Sequence, residues 1–243
     1  MASISIRKSI RWLPGEAEEP TLTVVLTSPA RRFVDLRIVK PAASATADAD
    51  ESDARLPFSR LDWAIAGTSS STTRDDVSGG VITHGKWTHW IDSTTRKASG
   101  VVDEGDMVTQ ADGTTLETGS MVNPATGRVT AYEEVWEDEE PAAPCVVLEV
   151  DEGDGDDDGG EGKGKQGRVV RLGRWCQGFV REGEKIALER WLWSGETNKW
   201  RRTVRMGDLD VACEAALEEG REFKVGERVG EDGAWRVVEV VDG

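Results

Sequence analysis

The stretch MVTQADGTTLETGSMVNPATGRVTAYEEVW, residues 107–136, decides the fold class expected for this chain. Asp112-Gly113 separates two runs that favour extended backbone, and residues 123–127 (NPATG) separate the second run from a third. Asp-Gly is a strong signal for a tight hairpin, and Asn-Pro followed by Gly is typical of a slightly longer loop. From Arg128 to Trp136 apolar and polar side chains alternate with the period of a half-buried strand. The stretch therefore predicts neighbouring antiparallel strands.

The same alternation recurs along the rest of the chain. It is present in Arg32–Lys40 and in Trp87–Asp92, and it starts again after residues 141–144 (PAAP). Strand candidates after that point are Cys145–Val150, Arg168–Leu172, Trp175–Arg181, Ile186–Trp193, Trp200–Met206 and Trp235–Val241. Leu209–Glu219 has apolar residues at helical spacing and is followed by a helix-ending glycine. The sequence predicts an all-β chain with one short helix in its C-terminal half.

The charge of the chain limits the partners that it can have. It holds 30 basic and 46 acidic residues, which gives a formal net charge of −16. A surface of this sign repels nucleic acid phosphates and anionic lipids, so we expect no nucleic acid partner and a basic protein partner instead. Lys199–Arg205 is locally basic, but no second basic element reinforces it, and we expect its charges to pair with nearby acids.

Terminal composition and cysteine content indicate the compartment. Met1–Lys8 lacks the apolar region of a secretory signal, and no run reaches the roughly 20 apolar residues that span a bilayer. We therefore expect neither export by that route nor membrane insertion. Cys145, Cys176 and Cys213 are widely spaced and form no CxxC pair, which favours reduced thiols in the cytosol or nucleus.

Two low-complexity segments interrupt the strand pattern. Pro41–Arg55 is rich in Ala, Asp and Ser, and residues 151–167 are rich in acids and glycine, so both are expected to be exposed loops, the second one flexible. Residues 154–159 resemble the first half of an EF-hand loop, but Lys165 stands where a bidentate Glu is needed. The overlapping GGEGKGKQ segment resembles a Walker A loop, but Gln166 lacks the hydroxyl that binds magnesium. Neither a calcium site nor a nucleotide site is predicted.

The residue types that carry catalysis do not form a predicted site. His84, His89 and Asp92 could suggest a metal site, but in a regular strand Asp92 points away from His89, and His84 and His89 also have opposite parity. No GxSxG elbow is present, and Cys176 lies in an apolar strand that favours an inert buried thiol. We therefore predict no catalytic residue, no metal and no cofactor.

Tryptophan dominates the aromatic content, with ten Trp, four Phe and one Tyr. Gly85-Lys86-Trp87 and Gly173-Arg174-Trp175 share a Gly-x-Trp pattern that, in lipocalin-like barrels, lets the backbone bend while Trp closes one end. A late-strand cation often stacks on that ring, and Arg236 or Arg205 could do so on Trp175. The residues predicted to line a cavity or fill a barrel core are Trp63, Trp87, Trp90, Trp136, Trp175, Trp191 and Arg236.

A set of short segments follows one order along the chain. They are residues 56–58 (LPF), 63–68 (WAIAGT), 80–83 (GVIT), 90–93 (WIDS), 117–119 (ETG), 134–136 (EVW) and 173–179 (GRWCQGF), the last being the most specific. In this order they resemble the fungal Hri family, which is named for interaction with a casein kinase I. The resemblance spans most of residues 20–240.

The resemblance implies two tandem antiparallel barrels of the calycin or lipocalin type. The first would comprise residues 1–142, and the second residues 143–243 with the acidic loop 151–167. It also implies a cytosolic and nuclear protein without established enzymatic activity. Its implied partners are casein kinase I and a cytosolic component of the secretory translocation machinery.

Three functions are compatible with these features. The first is a non-enzymatic adaptor whose acidic surface contacts a protein partner. The second is a lipocalin-like carrier of a small apolar ligand inside a barrel. The third is an isomerase or cyclase, for which polar residues would have to converge inside one barrel.

Overall fold

The computed structural model describes residues 2–41, 54–76, 79–153 and 164–242 of the chain. The strands of the first half are β1 (Ser3–Trp12), β2 (Ala17–Glu18), β3 (Thr21–Thr27), β4 (Arg32–Val39), β5 (Leu61–Asp75), β6 (Val81–Asp92), β7 (Val102–Thr109), β8 (Thr115–Asn123) and β9 (Arg128–Glu139). Those of the second half are β10 (Cys145–Asp151), β11 (Lys165–Leu172), β12 (Trp175–Glu182), β13 (Lys185–Ser194), β14 (Lys199–Met206), β15 (Arg228–Val229) and β16 (Trp235–Val241). The helical elements are a 3-10 turn at Phe58–Arg60 and the helix α1 (Cys213–Leu217). The predicted all-β class is confirmed.

Eight strands of the first half form a closed antiparallel barrel. β1 pairs with β3, each strand from β3 to β8 pairs with the next one, and β9 returns to pair with β1. Ile4 shows the closure, because it pairs with Leu26 on one side and with Glu139 on the other. The short β2 pairs with the far end of β1. Closure leaves no free edge along most of this sheet.

The two turns predicted from residues 107–136 are confirmed. Thr109 pairs with Thr115 across the first turn, where Gly113 has a φ of 88° that favours glycine. Asn123 pairs with Arg128 across the second turn, and its side-chain Oδ1 accepts a hydrogen bond of 2.8 Å from the backbone N–H of Ala125. This Asx-type turn explains why the Asn-Pro segment ends one strand and begins the next.

The second half forms an open sheet rather than a second barrel. Its order is β14-β13-β12-β11-β10-β16-β15, and in the part of the chain that the structure describes β14 and β15 do not pair. The prediction of tandem barrels is therefore not confirmed. Val211, Cys213 and Ala216, in and before α1, are buried with Cys176 and Trp235 against this sheet. They occupy the space that the interior of a second barrel would need.

One face of the open sheet packs on the outside of the barrel. β11 and β12 contact β3 and β4, and β12 also contacts β5. The shared apolar core includes Leu26, Val34 and Leu36 of the barrel and Val170, Phe179 and Leu188 of the sheet. Because strand residues alternate between faces, the neighbours of these barrel residues point to the barrel interior.

A polar network crosses this apolar contact. The side-chain Nε2 of Gln177 donates hydrogen bonds to the carbonyl oxygens of Val24 and Val34, at 3.0 and 3.1 Å. The guanidinium of Arg190 donates to Gln177 Oε1 at 2.5 Å and to the carbonyl oxygen of Leu36 at 2.8 Å. Burial lowers the pKa of Arg190 to about 10. Both side chains thus hold the sheet to the barrel in one register.

The predicted helix Leu209–Glu219 is shorter than expected. α1 covers only Cys213–Leu217, because Ala212 has a left-handed φ of 53° and its backbone N–H is bound by Asp210 Oδ1 at 3.0 Å. This local turn competes with helix formation before Cys213. Among the residues described, no helix has the length and apolar character that crossing a membrane requires.

The predicted acidic loop 151–167 is also shorter, because the strands on both sides extend into it. Asp151 pairs with Gln166, and the backbone N–H of Glu152 donates to the carbonyl oxygen of Lys165 at 3.0 Å. Residues 154–163, which include most of the calcium-like and Walker-like segments, lie outside the described residues. The same is true of residues 42–53 in the other predicted loop.

Candidate functional site: the barrel cavity

The inner wall of the barrel encloses a cavity of about 430 Å³, called the barrel cavity below. Its apolar walls are formed by Val25, Phe33, Ile65, Trp87, Met107, Met121 and Trp136. Its polar and charged walls include Asp35, Arg37, His89, Asp103, Glu117, Tyr132 and Glu134. This size and this mixture of walls are typical of small-molecule sites in proteins.

Three glycines on adjacent strands make room for the inner side chains. Gly85, Gly105 and Gly119 lie in register across β6, β7 and β8. A Cβ on Gly105 would lie 2.7 Å from Glu117 Oε1, and one on Gly119 would lie 2.6 Å from the hydroxyl of Tyr132. Glu117 and Tyr132 therefore occupy the volume that side chains at the glycine positions would fill.

Glu117 and Tyr132 form a buried pair in this space. The Tyr132 hydroxyl donates a hydrogen bond of 2.8 Å to Glu117 Oε1. Burial, followed by the nearby charge of Glu134, raises the pKa of Glu117 to about 8, so this carboxyl is largely protonated at neutral pH. The nearby indole N–H of Trp136 acts to lower this pKa, although it makes no hydrogen bond of normal geometry with any residue in the described ranges.

Asp35 and Arg37 form an ion pair on the cavity wall contributed by β4. Arg37 Nε lies 2.9 Å from Asp35 Oδ2, and its guanidinium stacks 5.0 Å from the ring centroid of Trp63. Burial alone would lower the pKa of Arg37, but the charges of Asp35 and Glu134 raise it. The other carboxylate oxygen, Asp35 Oδ1, is buried and accepts no hydrogen bond from the residues that the structure describes.

Glu134 connects this wall to a second buried arginine. Its Oε1 lies 2.5 Å from Arg7 Nη1 and 3.9 Å from Arg37 Nη1. Arg7 also binds Glu19, with 2.9 Å between Nε and Oε2, and donates to the hydroxyl of Thr21 at 2.8 Å. The guanidinium of Arg7 thus joins Glu134 of the cavity wall to Glu19 and Thr21, which lie outside the cavity, and holds Glu134 in position.

His89 lies deep in the same wall between two carboxylates. Its Nδ1 is 2.9 Å from Asp92 Oδ2, and its Nε2 is 3.0 Å from Asp103 Oδ2. Burial lowers the pKa of His89, but the hydrogen bonds to Asp103 and Asp92 outweigh it and raise the pKa to about 9. The imidazole is therefore a cation at neutral pH, held on both ring nitrogens.

The prediction that His89 and Asp92 point to opposite faces is wrong. Ala66 pairs with Ile91 while Gly67 pairs with His89, so the strand has a bulge at Trp90. One extra residue reverses the parity and places His89 and Asp92 on the same side. His84 does lie apart from them, near Asp106 and Glu104, and no metal-binding cluster of His, Cys, Asp or Glu exists in the ranges described.

The cavity opens at the end of the barrel where β1 begins and β9 ends. Ser5 Oγ donates to Asp138 Oδ1 at 2.6 Å at this mouth. Glu139 accepts hydrogen bonds from Arg174 Nη2 at 2.6 Å and from the indole N–H of Trp175 at 3.2 Å. The open sheet thus supports one side of the mouth.

Comparison with known proteins agrees with this architecture. A family model described as Protein HRI1 matches residues 3–239, nearly the whole chain. The chain belongs to this family. The crystal structure of an uncharacterized protein from Saccharomyces cerevisiae matches with a TM-score of 0.69 at 20% identity, covering 99% of each chain. At 20% identity this structural similarity shows the fold alone. The search of curated proteins gave no significant match to the sequence.

Membership of the HRI1 family confirms the resemblance inferred from the short segments. Of the predicted tryptophans, Trp87 and Trp136 line the barrel cavity. Trp63 packs edge-on against His89 with 5.7 Å between ring centroids, and its indole N–H donates to Asp92 Oδ1 at 3.0 Å. The structure therefore brings three of the predicted tryptophans to the cavity or directly behind it.

The remaining predicted residues lie elsewhere in this HRI1-family chain. Trp90 lies under Arg168 and packs against the shared core, with 5.0 Å between the guanidinium and the ring centroid. Trp175 belongs to the same core, and the cation over its ring is Arg174 at 5.8 Å, not Arg236 or Arg205. Trp191 lies beneath Arg202 on the open sheet, at 4.9 Å. Arg236 is exposed, because its position on β16 faces solvent.

Sequence reasoning missed the charged residues of the barrel cavity. Asp35, Glu117 and Glu134 stand among 46 acids, and their spacing does not distinguish them from solvated ones. The available signal was the glycines within three consecutive strands, Gly85, Gly105 and Gly119, since an inward glycine indicates that a neighbouring side chain fills its space.

Proposed function

We propose that this HRI1-family chain binds a small organic molecule in the barrel cavity and acts as a carrier or sensor of it. The observation that carries the proposal is a cavity of about 430 Å³ with Asp35 in its wall, whose buried Oδ1 accepts no hydrogen bond from the residues that the structure describes. A buried carboxylate oxygen without a donor is costly, and a ligand that donates a hydrogen bond offsets this cost.

The walls support the same proposal. Phe33, Trp87 and Trp136 present large apolar surface, while the charged groups beside them are held by their own partners. Fixed polar groups in an apolar cavity orient a ligand and select among ligands, whereas the apolar surface supplies affinity.

The proposal is tested by titrating the purified chain with a panel of small organic molecules, following tryptophan fluorescence and heat release. Trp87 and Trp136 report directly, because they line the cavity. Ser69→Trp is the blocking variant, since Ser69 lines the cavity and pairs with Trp87. Thr68→Trp is the matched control, since Thr68 is the exposed neighbour on the same strand.

We expect at least one compound to bind the wild type and Thr68→Trp alike and to lose about tenfold or more in affinity in Ser69→Trp. Equal affinity in both variants would show that binding occurs outside the cavity. Failure of every compound in the panel to bind would also contradict the proposal.

A protein-interaction role is a second proposal, supported by the acidic surface. The net charge is −16, and Glu137, Asp138 and Glu140 are exposed at the end of β9. We propose that this surface binds a basic protein in the cytosol or nucleus, with casein kinase I and the translocation component as the partners that the family implies. Affinity capture at low and high salt tests it, and capture of casein kinase I that does not weaken with salt would contradict an electrostatic surface.

The enzymatic alternative has one supporting feature, the convergence of Asp35, Glu117 and His89 on one cavity. Two of these groups are engaged, because His89 holds carboxylates on both nitrogens and Glu117 is bound by Tyr132. Proton transfer would have to break these contacts first, so we propose binding without chemical conversion. Mass spectrometry of the compounds recovered after incubation checks this, and a converted compound would overturn it.

A further inference from the structure

The charge balance of the barrel cavity indicates the class of ligand. Its walls contain three basic side chains, Arg31, Arg37 and His89, and six acidic ones besides Glu117, namely Asp35, Asp103, Glu134, Asp138, Glu139 and Glu140. With Glu117 counted as neutral and His89 as charged, the formal charge of the walls is −3. Behind the walls, Arg7 contacts Glu134, Arg174 contacts Glu139 and Asp92 contacts His89, while Glu19 contacts Arg7. These two positive and two negative charges leave the balance unchanged.

The two basic groups deep in the cavity are already neutralised by protein carboxylates. Arg37 is paired with Asp35 at 2.9 Å, and His89 is held by Asp92 and Asp103. Arg31 lies at the exposed mouth. Asp138, Glu139 and Glu140 lie at the same mouth, so the deep walls alone sum to −1. An anionic ligand there would meet no uncommitted cation among the residues described.

The unpartnered carboxylate oxygen of Asp35 favours a positively charged ligand. Asp35 Oδ1 is an acceptor, its side chain is 6% exposed, and its sister oxygen Oδ2 is occupied by Arg37. A donor that carries positive charge makes the strongest hydrogen bond to such an oxygen. Trp87 and Trp136 add aromatic surface in the same cavity, and aromatic faces attract cations.

We propose that the ligand of the barrel cavity is an organic amine, a protonated primary or secondary ammonium on an apolar body, whose N–H donates to the carboxylate of Asp35. The inference rests on the proposed binding function and adds the chemical class of the ligand. The apolar body packs against Phe33 and the two cavity tryptophans, and the ammonium offsets the negative charge of the walls.

Three probes that share one body test the class of ligand. They are 2-(1-naphthyl)ethylamine, 2-(1-naphthyl)ethanol and the carboxylate 1-naphthaleneacetate. Their head groups are positive, neutral and negative, respectively. Calorimetry on the wild type is expected to show the amine binding about tenfold or more tighter than the alcohol, and the carboxylate weakest. Amine binding is also expected to fall in Ser69→Trp and to persist in Thr68→Trp.

Asp35→Asn tests the residue. It is expected to weaken amine binding by about tenfold and alcohol binding clearly less, since both probes lose the ordering effect of the Asp35–Arg37 pair but only the ammonium loses a charged hydrogen bond. If this variant does not fold, the selectivity of the wild type among the three probes still decides the inference.

The possible failures are distinguishable. Alcohol or carboxylate binding as tightly as the amine, in a manner that Ser69→Trp blocks, would overturn the amine inference and leave the binding function standing. Amine binding that Ser69→Trp does not affect, or no binding of the amine up to about 1 mM, would also overturn the inference. The binding function itself fails only if the wider panel gives no compound that Ser69→Trp blocks.

Discussion

The hydroxyl of Tyr132 donates a 2.8 Å hydrogen bond to Glu117 inside the barrel, in space left by two glycines on neighbouring strands. The pair is buried, and the pKa of Glu117 is raised to about 8 by burial and by Glu134. A neutral carboxyl in this position reduces the repulsion among the acids of the barrel cavity. The stability of the barrel therefore depends on pH and on the volume of the side chains in its interior.

Glu117→Gln should make the barrel less sensitive to pH. Because the pKa of Glu117 is raised from 4.5 to about 8, the folded state binds more protons than the unfolded state between these values, and stability falls as pH rises across them. Glutamine does not titrate. We expect the free energy of unfolding of the variant, relative to wild type, to rise by at least about 1 kcal/mol from pH near 5 to pH near 8.

Urea denaturation at several pH values measures this difference. Glu137→Gln is the control, because the Glu137 side chain is 57% exposed. A constant difference between Glu117→Gln and wild type across the pH range would contradict a neutral buried Glu117.

His89→Ala should destabilise the protein far more than His84→Ala. Removal of His89 leaves Asp92 buried without its charged partner, which costs about 3 kcal/mol or more. His84 is a surface residue whose side chain is 38% exposed, so its removal should cost less than about 1 kcal/mol. Chemical denaturation compares the two variants, and equal losses would contradict the buried pair.

The His89 contribution should also depend on pH in a defined direction. Since the pKa of His89 is raised from 6.5 to about 9, its stabilisation is complete below 6.5 and is lost as pH rises through 9. The difference between wild type and His89→Ala should therefore shrink in alkaline buffer. NMR titration of the imidazole carbons checks the same value directly.

Gly119→Ala should disturb the barrel although it adds one methyl group. The new Cβ would lie 2.6 to 2.8 Å from three atoms of the Tyr132 ring and hydroxyl, and a buried ring cannot move away cheaply. We expect a loss of about 1–3 kcal/mol in unfolding free energy and weaker ligand binding. Gly195→Ala, where nothing lies within 4 Å, is the control and should be nearly neutral.

Gln177→Leu should weaken the contact between the open sheet and the barrel. The substitution removes donors to Val24 and Val34 and leaves Arg190 without one buried acceptor, at a cost of about 2–4 kcal/mol. Hydrogen exchange should speed up in β3, β4 and β12. Gln166→Leu, which removes only a 3.4 Å contact with Asp151, is expected to have little effect.

Local patterns accounted for the strands and turns. The hairpin after Gln110 and the loop that begins at Asn123 depend on residues that are adjacent in sequence, and both were predicted correctly. The helix was predicted too long because the left-handed Ala212 is not visible in apolar spacing. The second barrel was expected from the family resemblance, and the strand pattern could not test it, because the recurrence of strands does not show whether the last strand returns to the first.

The residues of the candidate site could not be predicted from local patterns either, because bulges and strand register decide which side chains face the cavity. His89 and Asp92 were assigned to opposite faces, and a single bulge at Trp90 brings them together. Trp87 and Trp136 were named among seven candidates, but only the register of the barrel separates them from Trp90, Trp175 and Trp191.

The sequence by itself determined an acidic, all-β chain of the HRI1 family, because composition, alternation and turn residues are local properties. Tertiary structure alone decided that β9 closes on β1, that the second sheet stays open around α1, and that Asp35, Glu117 and His89 face one cavity. The physical reason is that the face of a strand residue depends on register and bulges, and these are set by pairing between strands far apart in the chain.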